Sequence, residues 1–154
     1  MSKAIGMVEY KTVSAGVVAA DAMVKTSEVS IIEAQTVCPG KYIVIISGDL
    51  SAVNAAVETS KALHGKHLIN SFVLGNPHKS IFPAIYGATK IDDVSALGIM
   101  ETYDATSIIA VSYTHLDVYK RQYPTSERRQ LRMPRYLHAW VYKRQAWEMS
   151  DIRF

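Results

Sequence analysis

Cysteine is almost absent: Cys38 is the single one among 154 residues. One thiol excludes an intrachain disulfide and a metal cage supplied by the cysteines of one chain. No apolar run reaches the roughly 20 residues that a bilayer-spanning helix needs. The opening Met1-Ser2-Lys3-Ala4 lacks the charged, apolar and cleavage regions of a signal peptide, so the expected address is the cytoplasm. Arginine is missing from residues 1–110, where eight Lys and ten acids give a net charge of −2. All seven Arg and both Trp (Trp140 and Trp147) lie in residues 111–154, which carry +5, and Ala falls from 15 residues to two. The whole-chain charge of +3 therefore belongs to the tail, and neither a nucleic-acid nor a membrane partner is expected for the mildly acidic remainder. A Ser-His-Asp arrangement, a phosphate loop and a nucleotide fingerprint are also lacking, so no enzyme is expected.

What is present reads as a short α+β domain. Ala4-Ile5-Gly6-Met7-Val8-Glu9-Tyr10 is strand-like, with a glycine that permits a close approach. A helix is predicted over 14–26, capped by Ser14. Its predicted buried stripe is Val13, Val17, Ala20 and Val24, widened by Gly16, Ala19 and Met23. Residues 29–37 and 41–47 form two β-rich runs joined by Cys38-Pro39-Gly40, a link short enough to imply antiparallel neighbours. Gly48-Asp49 opens a second helix, with Asp49 as its cap, Val53, Ala56, Val57, Ser60 and Leu63 as its stripe, and Gly65 as its stop. Residues 68–74 make a fourth strand, Asn76-Pro77-His78 a turn, and 81–85 a short helix or turn. The order β-α-β-β-α-β is the ferredoxin-like arrangement.

An internal repeat follows. Ala96-Leu97-Gly98-Ile99-Met100-Glu101 matches Ala4-Ile5-Gly6-Met7-Val8-Glu9 at an offset of 92. Residues 4–86 thus read as one domain, 87–95 as a linker and 96–110 as the start of a second, truncated copy. Ser107-Ile108-Ile109-Ala110 begins the expected helix, and the pattern stops at Val111. In the tail, Val118-Tyr-Lys-Arg-Gln122 recurs as Val141-Tyr-Lys-Arg-Gln145 without an amphipathic period. Basic and aromatic residues together suit single-stranded nucleic acid. The alternative, taken here, is a non-native and disordered tail over 111–154, left out of fold reasoning.

Several segments together resemble the bacterial microcompartment shell domain: Gly6-Met7-Val8-Glu9, Ala19-Ala20-Asp21-Ala22-Met23-Val24-Lys25, Gly48-Asp49, Ala55-Ala56-Val57-Glu58 and Asn76-Pro77-His78. The doubled domain with Val37-Cys38-Pro39-Gly40-Lys41 looks most like the tandem-domain shell proteins of the propanediol-utilisation type that carry an iron–sulfur cluster. The resemblance implies a flat shell tile, a homotrimer of the intact protein, packed edge to edge with other shell proteins in a cytoplasmic microcompartment. An electron carrier or enzyme in the lumen is a further implied partner. It places Lys25, Asn76 and His78 at the tile edge, with Asn76 standing where the family usually has Arg and unable to offer a guanidinium fork. It places Cys38, Pro39 and Gly40 in the loop lining the central pore.

On that resemblance Cys38 becomes the candidate cofactor and metal ligand. A [4Fe–4S] cluster normally takes four thiolates, which one chain lacks, but a three-fold axis brings three copies of Cys38 to one point. Pro39 stiffens the loop, and Gly40 permits a tight backbone. Read without the family, a lone Cys is a small buried hydrophobe. Lys41 either favours a nearby thiolate or is a solvated strand start. Lys25 reads equally as a helix C-terminal cation. Three functions stay open: electron relay through a shared cluster, a metabolite pore without a cluster, and a ligand-sensing regulatory domain of the same topology.

Overall fold

The computed structural model describes residues 4–37, 40–78, 81–86, 98–100, 102–111 and 145–147. The expected linker at 87–95, most of the tail at 111–154, and Cys38 and Pro39 lie outside them. Chain contacts separate two units, one of residues 1–77 with 103–110, the other of 78–102 with 111–154.

In the first unit, β1 (Ala4–Tyr10), β2 (Val29–Val37), β3 (Lys41–Gly48) and β4 (Leu68–Leu74) form one antiparallel sheet in the order β2-β3-β1-β4. With α1 (Val13–Thr26) and α2 (Leu50–His64) this is the expected β-α-β-β-α-β fold. One sheet face meets both helices. Ala4, Val8 and Tyr10 of β1 and Val44 and Ile46 of β3 pack there with Ala15, Ala19, Ala20, Met23, Val53, Ala56 and Val57. Gly6 is the point of close approach: a Cβ there would stand 2.7 Å from Val53 Cγ1, so only hydrogen lets α2 sit this near the strand. Tyr10 buries its ring and donates its hydroxyl to the Ser60 carbonyl at 3.0 Å. Desolvation raises the Tyr10 pKa against the lowering effect of that hydrogen bond, so the phenol stays protonated and donates. The opposite face carries Ile5, Met7, Ile43 and Ile45, also buried. Burial on both faces is why β1 and β3 are near-continuous apolar runs without the alternation of a half-exposed strand.

The helices depart from expectation in detail. The cap of α1 is Thr12, not Ser14: its extended backbone lets its Oγ1 accept from Ala15 N–H at 3.4 Å. Of the expected stripe, Gly16, Ala19, Ala20 and Met23 are buried, joined by Ala15, whereas Val13, Val17 and Val24 are exposed. Small side chains let α1 lie close to the sheet and to α2, and that closeness decides which face is buried. In α2, Val53, Ala56, Val57 and Ser60 are buried as expected, but Leu63 is exposed. Asp49 occupies the N-cap position of α2 without making a side-chain cap hydrogen bond, and Gly65 follows its last turn.

Residues 105–111 are helical. In the second unit, α3 (Ile81–Ile85) is a short helix, and β5 (Gly98–Met100) pairs antiparallel with β6 (Gln145–Trp147). Among the described residues no helix is long and apolar enough to cross a membrane.

Candidate functional site

The loop expected to carry the chemistry is the β2–β3 connection. Val37 and Lys41 face each other as the last pair of the hairpin ladder, leaving 38–40 as a three-residue link. Gly40 takes φ +83°, a left-handed conformation that costs glycine little and other residues more. A Cβ built there meets nothing within 4 Å, so the positive φ and not crowding calls for glycine. The side chains of Cys38 and Pro39 fall outside the described residues.

Lys41 is not simply solvated. Its Nζ lies 2.9 Å from Glu9 Oε1, across the sheet. Glu9 sits at the end of β1 with its side chain 2% exposed, so its charge must be met inside the protein. Lys41 meets one carboxylate oxygen, and the backbone N–H of Ala105 donates to the other at 2.7 Å. The cation nearest the Cys38 loop in sequence is thus matched by an anion, which weakens its expected pull on a thiolate. The same carboxylate ties the hairpin to the helix over 105–111.

Asp104 completes this junction. It caps the helix over 105–111 by accepting from Ser107 N–H at 2.8 Å, and it also accepts from Ser107 Oγ, Thr106 Oγ1 and Asn70 Nδ2. Burial opposes the charged form of Asp104. The donated hydrogen bonds from Thr106, Ser107 and Asn70 outweigh it and lower its pKa to about 2. Neither Asp104 nor Asn70 stood out in the sequence reading. The available signal was the 92-residue offset, which sets Asp104 opposite the cap Thr12, both residues of the N-cap type.

The expected tile-edge residues are placed as follows. Lys25 lies in the last turn of α1, strongly exposed, 2.7 Å from Asp21 one turn earlier. Such an exposed pair contributes little to stability. Asn76 follows β4 with φ +53°, a conformation asparagine tolerates better than most residues. No hydrogen bond or ion pair joins Lys25 to Asn76 among the described residues. His78 accepts with its carbonyl from Ile81 N–H at 3.0 Å. Among the described residues no three of His, Cys, Asp and Glu gather to hold a metal, His64 and His67 included.

Comparison with known proteins gives this fold its context. The BMC domain family model matches residues 4–77. The bacterial microcompartment shell protein PduT of Citrobacter freundii is 39% identical over 112 residues, 73% of this chain and 61% of that protein. The carboxysome shell protein CcmK2 of Thermosynechococcus vestitus is 33% identical over 85 residues, 53% of this chain and 83% of that protein. A crystal structure of a microcompartment protein from Desulfitobacterium hafniense superposes with a TM-score of 0.67 at 39% identity, covering 76% of this chain and 65% of the other. The chain thus spans less than two thirds of the length of the first and third of these relatives.

Proposed function

The chain belongs to the BMC-domain family of microcompartment shell proteins, and from that premise we propose that it is a shell tile that relays electrons across the shell through a [4Fe–4S] cluster held by Cys38 of three copies. The observation that carries the reading is the hairpin link: three residues between the paired Val37 and Lys41, with Gly40 at positive φ in open space and the chain's single cysteine within it.

The residues present fit such a group on chemical grounds. A cluster of this kind takes thiolates, and one chain offers one. Because the chain has a single cysteine, further thiolates would come from other copies. A trimer supplies three Cys38 thiolates and leaves one iron for another ligand. When bound, the group supplies single-electron transfer. The chain's own part is to present the thiolate on a short, stiff loop, to brace that loop through the Lys41–Glu9 pair, and to supply the edges by which tiles meet. Lys25, Asn76 and His78 are the edge residues in this reading, with other shell proteins as lateral partners and an electron carrier or enzyme in the lumen as the redox partner.

Anaerobic reconstitution of the wild type and Cys38→Ser with iron and sulfide tests it. The wild type is expected to turn brown, with broad visible absorption, and Cys38→Ser to stay colourless while keeping the wild-type circular dichroism. A folded variant that binds the same iron as the wild type overturns the cluster assignment. A wild type that assembles but binds no iron favours the metabolite pore without a cluster.

A further inference from the structure

Charge is unevenly placed on the first unit. β1 and β2 end, and β3 and β4 begin, at one end of the sheet, as the pairs Tyr10–Tyr42, Val37–Lys41 and Tyr10–Leu68 show. α1 starts and α2 finishes at this same end, so the hairpin link 38–40 shares it with Lys11 and with a short 3₁₀ turn, Gly65–His67. Lys11 N–H donates to the His67 carbonyl at 2.8 Å, which fixes the turn beside the start of α1. Lys11, Lys66 and His67 are all exposed. Among the described residues none of the three makes an ion pair.

The acids that could neutralise them are engaged or distant. Glu9 is buried against Lys41 and Ala105 N–H, and Asp104 accepts from Ser107, Thr106 and Asn70. Glu58, farther up α2, lies 2.8 Å from Lys61. The exposed acids Asp21, Glu28 and Asp49 stand toward the other end, where α1 finishes and β2 and α2 start. Two lysines thus keep an unmatched charge at the end of the sheet that bears the link, although residues 1–110 together carry −2. Apolar surface accompanies them. Leu63, in the last turn of α2, is 57% exposed, and Val13, just after Lys11, is 37% exposed. Exposed apolar side chains among cations are the makeup of a protein-binding surface. A small anion calls for a concave site with convergent donors, and a nucleic acid calls for a longer basic stripe.

Resting on the electron-relay reading, we infer that this end of the first unit, carried by Lys11, Lys66, His67, Val13 and Leu63, docks the redox partner, an electron-carrier protein with an acidic surface. Opposite charge steers such a carrier to the end of the sheet that bears the link, and the exposed Leu63 and Val13 give it apolar contact once there. Lys41 adds little to the attraction, because Glu9 already matches its charge.

Fluorescence anisotropy of labelled decaglutamate, titrated at low salt with the full chain before reconstitution, tests the docking. The wild type is compared with Lys11→Gln/Lys66→Gln, Lys11→Glu/Lys66→Glu and, at the other end, Lys25→Glu. The basic residues of 111–154 are common to all four proteins, so the differences read the face. Both lysines are exposed, and Glu at position 11 suits the positive end of α1, so the variants are expected to keep the wild-type circular dichroism. The neutralising pair serves if the charge-reversed pair folds poorly. Charge reversal should weaken binding about tenfold and neutralisation less. Lys25→Glu should change it by no more than about twofold, and at 1 M salt, where the screening length is about 3 Å, the differences should vanish. Equal affinity of the wild type and the folded double variants, or an equal loss from Lys25→Glu, overturns the docking. Binding of labelled oligothymidylate that depends on Lys11 and Lys66 and exceeds that of decaglutamate assigns the face to nucleic acid and overturns it too. Iron content is measured separately on reconstituted samples. A chain that binds iron but whose decaglutamate affinity ignores both lysines loses the docking alone, whereas lysine-dependent docking by a chain that binds no iron supports the acidic-partner face and refutes the relay.

Discussion

Glu9 is the residue on which the described structure turns. A buried carboxylate is costly unless each oxygen is met, and here Lys41 meets one and Ala105 N–H the other. Glu9→Ala strands the amide and releases Lys41, which is exposed enough to rehydrate. The expected loss is about 1–3 kcal/mol in chemical denaturation, and a loss under about 0.5 kcal/mol, typical of a surface change, would contradict the assigned role. Asp104 gives a pH signature. Its pKa in the fold is lowered from 3.8 to about 2, so its stabilising effect is complete above the unfolded value and is lost as pH falls from about 4 through about 2. Carboxyl NMR should show Asp104 titrating near 2, and a midpoint near 3.8 would contradict the capping network. The effect on global stability is small, because the group is partly exposed.

At the scale of elements, much of the chain was legible. The apolar runs of β1 and β3 and the three-residue link each carry a local signal that tertiary context did not override, and α2 begins after Gly48-Asp49 and ends before Gly65 as expected, although Asp49 makes no side-chain cap bond. The buried face of α1 was legible in part: Gly16, Ala19, Ala20 and Met23 were expected there and are buried, but Val13, Val17 and Val24 are exposed. Valines and small residues both recur there at helical spacing, and choosing between them requires knowing how closely the helix approaches the sheet. The small residues turned inward, and the valines were left for the surface. Nor could local pattern show the Glu9–Ala105 bond, whose partners stand 96 positions apart in sequence. The repeat hinted at it only by keeping Glu at both strand ends.

At the scale of the molecule, the fold and the family agree on a shell tile. The helix over 105–111 is capped by Asp104, and its Ala105 N–H donates to the Glu9 carboxylate at the end of β1. Placing Cys38 in that tile rests on the family resemblance and on the hairpin that frames the loop, since a lone cysteine alone says little. Native mass spectrometry of the anaerobically reconstituted protein addresses the proposed cluster and its stoichiometry together. The predicted species is a trimer carrying the mass of one [4Fe–4S] cluster, with Cys38→Ser giving a trimer free of that mass. A trimer without the cluster, or a cluster on the monomer, would contradict the proposal that three copies of Cys38 hold one cluster between them.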